Sequence, residues 1–120
     1  MTDDGKAVLL KTAADVGKYY AFIGQALRAI YDPAAAAQLP MELLDAQIDQ
    51  IRKSLAPVLD TNQVVKQNFA QIDDELVRIR RAASLNGERQ KAVDDAQRFG
   101  VQIQERAKVV SDLVALFRRL

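Results

Sequence analysis

A heptad pattern of apolar residues runs through the middle of this chain and constrains its fold more than any other feature. Between Leu44 and Ala83 the apolar positions alternate in steps of four and three, which is the spacing of a helix face that packs against other helices. Asn62 is the one polar residue in the series Leu44, Ile48, Ile51, Leu55, Val58, Asn62, Val65, Phe69, Ile72, Leu76, Ile79 and Ala83. The pattern predicts an all-α fold, an elongated antiparallel helical bundle.

This stretch contains one proline, Pro57, and the pattern leaves two interpretations of it open. A proline inside a helix removes a backbone hydrogen bond and bends the axis, but the heptad phase continues beyond it. We therefore favour one long helix over about residues 41–85, kinked at Pro57. The alternative is a break at residues 56–60, which would give four helices; Asn62 is then exposed at the break rather than buried as an amide that sets alignment.

The first helix is predicted over about residues 4–31, between the acidic start of the chain and the break at Asp32-Pro33. Its apolar face covers roughly half the circumference, so it should contact more than one neighbour. Gly17 and Gly24 are one heptad apart at the edge of this face, where they favour a close approach of another helix. Within the wide face, three aromatic residues are candidates for contact with a partner: Tyr19, Phe22 and Tyr31.

The dipeptide Asn86-Gly87 is typical of a helix end and predicts a tight turn between two antiparallel helices. The last helix should then cover about residues 88–120. It carries one apolar seam from Val93 to Phe117, and a second seam appears from Val109 onward. The second seam is a further candidate for partner contact, and it consists of Val109, Leu113, Leu116 and Leu120.

In the three-helix arrangement, we expect the first helix beside the front of the long helix and the last helix beside its back half. The first and last helices would then overlap only around Pro57 and Asn62. If the chain breaks instead, the same seams would close a four-helix bundle. Either bundle belongs to a single domain, residues 1–120, and its thin ends would leave apolar surface exposed.

The charges of the chain are nearly balanced, with 17 basic and 16 acidic residues and a net charge of +1. No global field would therefore attract nucleic acid, and we expect no nucleic-acid binding. The acidic N-terminus does not have the basic and then apolar layout of a signal peptide, and no window is apolar enough to predict a membrane span. We expect a cytoplasmic protein.

Cysteine and histidine are both absent, which removes the commonest nucleophile–base pairs and most transition-metal ligands. The carboxylate clusters at 73–75 and 94–95 are expected to be solvated, with Asp73 paired at the surface to Lys66, Arg80 or Arg81. Basic residues gather near the Asn86-Gly87 turn, where contact with phosphate or an acidic partner is an alternative to a solvated tip: Arg78, Arg80, Arg81, Arg89 and Lys91. We expect no enzyme activity, no cofactor, no metal and no small-molecule substrate.

The sequence favours a non-enzymatic protein–protein interaction module that self-associates, as a homo-oligomer, or binds a partner helix through its leftover apolar seams. A small helical chaperone or adaptor for a secreted or assembled protein is a second interpretation, by analogy with other small helical folds. A membrane-active helical protein is a third and weaker one, since the first helix could present its apolar face to lipid.

Overall fold

A computed structural model describes residues 3–119 and shows five α-helices, with no β-strand among those residues. The helices are α1 (Asp3–Tyr31), α2 (Pro33–Gln38), α3 (Met41–Leu59), α4 (Gln63–Ala83) and α5 (Arg89–Arg118). They form an elongated body of 55 × 25 × 23 Å. The prediction of an all-α helical bundle is therefore confirmed.

The connection between α1 and α3 is the short helix α2. Asp32 lies in extended backbone, and its carboxylate accepts a hydrogen bond from the Ala34 N–H at 3.0 Å, while Pro33 occupies the first helical position. A carboxylate before the first turn and a proline at that position both favour the start of a helix. Extended backbone at Leu39 ends α2, and Met41 begins α3.

The predicted single helix over residues 41–85 is wrong: the chain breaks, as in the alternative prediction, but after Leu59 rather than within residues 56–60, and the short α2 brings the number of helices among the described residues to five. Helix α3 continues through Pro57 but ends at Leu59, and α4 starts at Gln63. Asn62 is exposed and caps α4, since its side-chain oxygen accepts a hydrogen bond from the Val65 N–H at 3.2 Å. The break therefore lies at residues 60–62, and Asn62 is not a buried amide.

The heptad phase continues across this break although the two helices form an antiparallel hairpin. Arg80 of α4 contacts Asp45 of α3 at 2.9 Å, and Arg52 of α3 lies 3.2 Å from Asp73 of α4. The seams on both sides of the turn face the same core, so the sequence pattern looks continuous although the chain reverses direction. A pattern of apolar spacing alone does not distinguish a reversal from a kink.

The turn predicted at Asn86-Gly87 is present between α4 and α5. Gly87 has φ +86°, a backbone conformation that side chains disfavour. The end of α4 at Ala83 and the start of α5 at Arg89 lie within two residues of the predicted bounds. The helices that flank this turn are antiparallel, because Arg78 of α4 contacts Asp95 of α5 at 3.2 Å.

Helices α1 and α5 make the most extensive contact of the fold, along their whole length and in antiparallel orientation. At one end Lys6 donates to the Arg118 carbonyl at 3.3 Å, and at the other Arg89 donates to the Ile30 carbonyl at 2.9 Å. The prediction that the first and last helices overlap only around Pro57 and Asn62 is therefore wrong. Gly17 and Gly24 do face α5, where an added Cβ would lie 3.7 Å from Val110 and 4.0 Å from Ile103.

The core lies where α3 and α4 cover the α1–α5 pair. Its largest fully buried side chains come from all four long helices: Tyr19, Ile23, Leu27, Leu44, Leu55, Ile79 and Ile103. Within residues 3–119, no buried residue of α1 precedes Asp15 and none of α5 follows Ile103. One end of the bundle is therefore sealed by four helices, while the other end is not.

Candidate interaction surfaces

The α1–α5 pair extends beyond the α3–α4 hairpin because its helices are longer. Helices α1 and α5 have 29 and 30 residues, whereas α3 and α4 have 19 and 21. At about 1.5 Å per residue the first two are roughly 44 Å long and the other two roughly 30 Å. The difference leaves a two-helix overhang at one end.

The position of the overhang follows from the contact between Tyr19 and Phe69. Their rings stack with centroids 4.5 Å apart, so Phe69 of α4 lies level with Tyr19 of α1. Helix α4 starts six residues earlier, at Gln63, and is parallel to α1, so its first turn lies level with about residue 13. Residues 3–12 of α1 project past it, over about 15 Å.

The overhang carries apolar side chains on the side that the hairpin would cover if it were longer. Val8 lies on the same helical face as Tyr19 and Ala26, which are buried under the hairpin. Leu9 lies on the same face as Ile23 and Leu27, which are also buried. We call the exposed set on this side the apolar ledge; its members are between 39% and 63% exposed, and they are Val8, Leu9, Val109, Leu113 and Leu116.

On α5, the ledge residues continue the side of the helix that contacts α4. The contact between Arg78 and Asp95 sets the antiparallel register of α4 and α5. Fourteen residues before Arg78 comes Val64, and fourteen residues after Asp95 comes Val109, so these two valines lie at about the same level. Val64 is 69% exposed. The first turn of α4 thus forms the border of the ledge and is itself apolar there.

Three members of the predicted second seam belong to this ledge, namely Val109, Leu113 and Leu116, and Leu120 lies outside the described residues. The first seam of α5 instead turns toward α1, and its residues Val110, Val114 and Phe117 are half-buried. The two seams are therefore on different sides of α5.

Val8, Leu9 and Val64 were not among the predicted partner contacts, because their exposure depends on where the α3–α4 hairpin ends.

The aromatic surface predicted on α1 does not form. Tyr19 is fully buried in the core, so in this structure it cannot contact a partner, and its inclusion was wrong. A wide apolar face needs several neighbours, and α3, α4 and α5 supply them. Phe22 is half-buried and packs against the core cluster. Tyr31 lies apart from both, in a groove of about 640 Å³ between α1 and α5 that is also lined by Gly24 and Gly100.

The Tyr19 hydroxyl is part of a polar cluster at the edge of the core, together with Asp73 and Arg52. It donates to the Asp73 carboxylate at 2.8 Å and lies 3.3 Å from the Phe69 carbonyl. Burial raises the pKa of Asp73, while the hydroxyl of Tyr19 and the charge of Arg52 act in the opposite direction. Burial, followed by the nearby Asp73 charge, also raises the pKa of Tyr19. The cluster connects α1, α3 and α4.

The prediction that Asp73 pairs with Lys66, Arg80 or Arg81 at the surface is wrong. Lys66 contacts Asp60 at 3.2 Å and Arg80 contacts Asp45. Asp73 is four residues after the buried Phe69, which places it at the edge of the core rather than on the outer face. Its Oδ2 lies 3.2 Å from the Arg52 Nε but without the alignment of a hydrogen bond, so the pair is mainly electrostatic.

A second groove lies at the opposite end of the molecule from the ledge. It has a volume of about 730 Å³ and is bounded by the C-terminal half of α1, by α2, by the start of α3 and by the end of α4. Three of the basic residues noted near the Asn86-Gly87 turn line it, namely Arg80, Arg81 and Arg89. We call it the basic groove.

Comparison of the chain with protein-family models, with curated proteins and with solved structures gave no significant match. Across residues 3–119, no group of three or more acidic side chains is placed to hold a metal ion. None of the helices in that range combines the length and the apolarity needed to cross a bilayer.

Proposed function

We propose that this protein is a non-enzymatic interaction module that docks onto another helical surface through the apolar ledge. The observation that carries the proposal is the apolar overhang, in which the face of α1 that is buried under the α3–α4 hairpin continues outward without a cover, beside the exposed second seam of α5. Contiguous exposed apolar residues on a soluble protein are typical of surfaces that bind other proteins.

The geometry favours a helix as the occupant. Two antiparallel helices side by side form a groove between them. The α3–α4 hairpin fills this groove along the part of the α1–α5 pair that it covers. A further helix placed beyond the hairpin would continue the same packing, by the mode in which apolar residues of an amphipathic helix enter a groove. A second copy of the chain can supply such a helix, because its own overhang is apolar, and self-association is the first case to test.

The size of the ledge predicts reversible rather than permanent association. An overhang of about 15 Å by two helix widths of about 10 Å each offers roughly 300 Å² per partner. Stable dimers bury about 800 Å² per partner, and smaller interfaces are typical of transient contacts. We therefore expect association that depends on protein concentration in the micromolar range or above.

The test is the mass in solution across a range of concentrations, measured by light scattering for the wild type and two double variants. Leu113→Lys with Leu116→Lys places two charges on the ledge. Leu43→Lys with Val101→Lys is the matched control, since these residues are exposed to a similar extent, 55% and 54% against 42% and 51%, but lie elsewhere. We expect association of the wild type and the control and a monomeric ledge variant, all three with the same helical circular dichroism.

A monomeric wild type at every concentration would overturn self-association. The same three proteins then decide whether the ledge binds a different protein. A protein that co-purifies with the wild type and the control but not with the ledge variant supports the proposal. Identical recovery by all three proteins contradicts it. Loss of helicity in the ledge variant would show that Leu113 and Leu116 belong to the core, and that also contradicts it.

A further inference from the structure

The basic groove has an apolar floor that the fold leaves open to solvent. Met41 and Val77 line it and are 60% and 50% exposed. Seven further lining residues are aliphatic: Ala26, Ala29, Ile30, Ala36, Leu39, Leu44 and Ala83. A surface of this kind favours a ligand with an apolar face.

The charged residues that line the groove are three arginines and one aspartate, a net charge of +2. Arg80 is paired with Asp45 at 2.9 Å. Arg89 donates to the Ile30 carbonyl at 2.9 Å and to the Ala83 carbonyl at 3.5 Å, so it caps the ends of α1 and α4. The described part of the chain shows no ion pair to the Arg81 guanidinium, which is exposed at the groove.

We propose that the basic groove binds an amphipathic helix whose apolar residues are flanked by aspartate or glutamate. The apolar side chains would cover Met41 and Val77, and a carboxylate would accept hydrogen bonds from Arg81, whose planar guanidinium suits a carboxylate well. The half-exposed floor fits a helix lying along the surface better than a small molecule, because small-molecule sites enclose most of their ligand. This inference is independent of the ledge, which lies at the other end.

The direct test uses two fluorescent peptides of about five helical turns with leucine along one face. The acidic probe carries glutamate on the other face, and the basic probe carries lysine at the same positions. Binding to the full chain is followed by fluorescence anisotropy. We expect the acidic probe to bind and the basic probe not to bind. The affinity of the acidic probe should fall as salt concentration rises, because charge attraction is screened.

Variants locate the binding. Arg81→Glu should weaken the acidic probe by about tenfold or more, since it replaces an attraction by a repulsion. Val77→Gln removes apolar contact without changing charge and should also weaken binding. Lys108→Glu is the control, because it makes the same charge change on an exposed residue outside the groove. Circular dichroism of each variant should match the wild type, since all three positions are exposed.

The proposal is overturned if the acidic probe binds no more tightly than the basic probe, or if Arg81→Glu and Lys108→Glu weaken its binding equally. It is also overturned if dodecanoate binds in a way that depends on Arg81 while neither peptide binds. That result would assign the groove to a small anionic amphiphile instead of a helix. Loss of peptide binding in the Leu113→Lys, Leu116→Lys ledge variant would likewise place the peptide elsewhere.

Discussion

The two ends of the α1–α5 pair both carry regularly spaced apolar residues, but these residues differ in exposure. In the covered half, Ile23, Leu27 and Ile103 are at most 1% exposed. In the overhang, Leu113 and Leu116 are 42% and 51% exposed. On α1 the α3–α4 hairpin ends before the helix does, which leaves Val8 and Leu9 uncovered, and on α5 Leu113 and Leu116 also lie on a different side of the helix from Ile103. Apolar spacing therefore identifies the face of a helix that can be buried, while the lengths of its neighbours decide whether it is.

The largest difference between the two halves should appear when the same side chain is truncated in each. Leu27→Ala leaves a cavity in the four-helix core and should lower the free energy of unfolding by about 2–5 kcal/mol. Leu113→Ala should cost less than about 1 kcal/mol, because the side chain is largely solvated already. Urea denaturation of both variants measures this. Equal costs of the two variants at low protein concentration would contradict the prediction that Leu27 is buried and Leu113 is not.

The next largest effect concerns the polar cluster that marks the covered half. Tyr19→Phe removes the hydroxyl that donates to Asp73 at 2.8 Å and leaves a partly buried carboxylate without that partner. We expect a cost of about 1–3 kcal/mol in the free energy of unfolding near neutral pH. Tyr20→Phe is the control, since no hydrogen bond of its hydroxyl appears among the contacts of residues 3–119. If Tyr19→Phe has no effect, the cluster is not a stabilising connection.

A smaller effect is expected where the hairpin ends and the overhang begins. Asn62→Ala removes the side-chain cap on the Val65 N–H and should lower the free energy of unfolding by about 1 kcal/mol. Asn68→Ala, at an exposed position inside α4, is the matched control and should be neutral or slightly stabilising. A continuous helix through residues 60–62 would reverse this order, because alanine would then be favoured at both positions.

The smallest effect is a pH dependence that belongs to Asp73. Its pKa in the folded protein is raised by burial above the ordinary value of 3.8, so the folded state holds this proton to higher pH than the unfolded state does. Asp73 therefore makes stability fall as pH rises from 3.8 through its folded pKa. The quantity to follow is the free energy of unfolding of the wild type minus that of Asp73→Asn. This difference should fall as pH rises from 3.8 to the folded pKa of Asp73, and it should stay constant at higher pH.

The difference between the two proteins isolates Asp73 from other carboxylates. Glu75 has the opposite sign, because the hydrogen bond from Arg78 lowers its pKa and its contribution is lost as pH falls. That contribution is present in both proteins and cancels. A difference that grows with rising pH would mean that Tyr19 and Arg52 outweigh burial at Asp73.

The sequence was sufficient to predict the fold class, the turn at Asn86-Gly87 and the presence of two seams on α5. These features depend on local spacing and on residues with particular backbone preferences. Pro57 did not identify the end of the helix, since α3 passes through it and ends two residues later, at Leu59. The cap at Asn62 was hidden because that residue also fits the heptad phase.

The positions of Tyr19 and Asp73 depend on how the helices are assembled, and local spacing does not contain this information. The wide face of α1 indicated several neighbours, but it did not show that they would enclose Tyr19 completely. The acidic residues around Asp73 predicted a solvated face, because the sequence does not show that α3 places Arg52 beside Asp73. The contribution of Val8 and Val64 to the exposed end likewise follows from relative helix lengths and register.

The most direct test of the central claim, that the overhang lies beyond the cover of the hairpin, is amide hydrogen exchange along α5 in dilute protein. Slow exchange requires burial and stable hydrogen bonds, and partly covered segments open more readily. We predict that amides of residues 112–118 exchange much faster than those of residues 92–103 in the same helix. Uniform protection along α5 at the lowest concentration would show that the overhang is already sealed, and it would contradict the account.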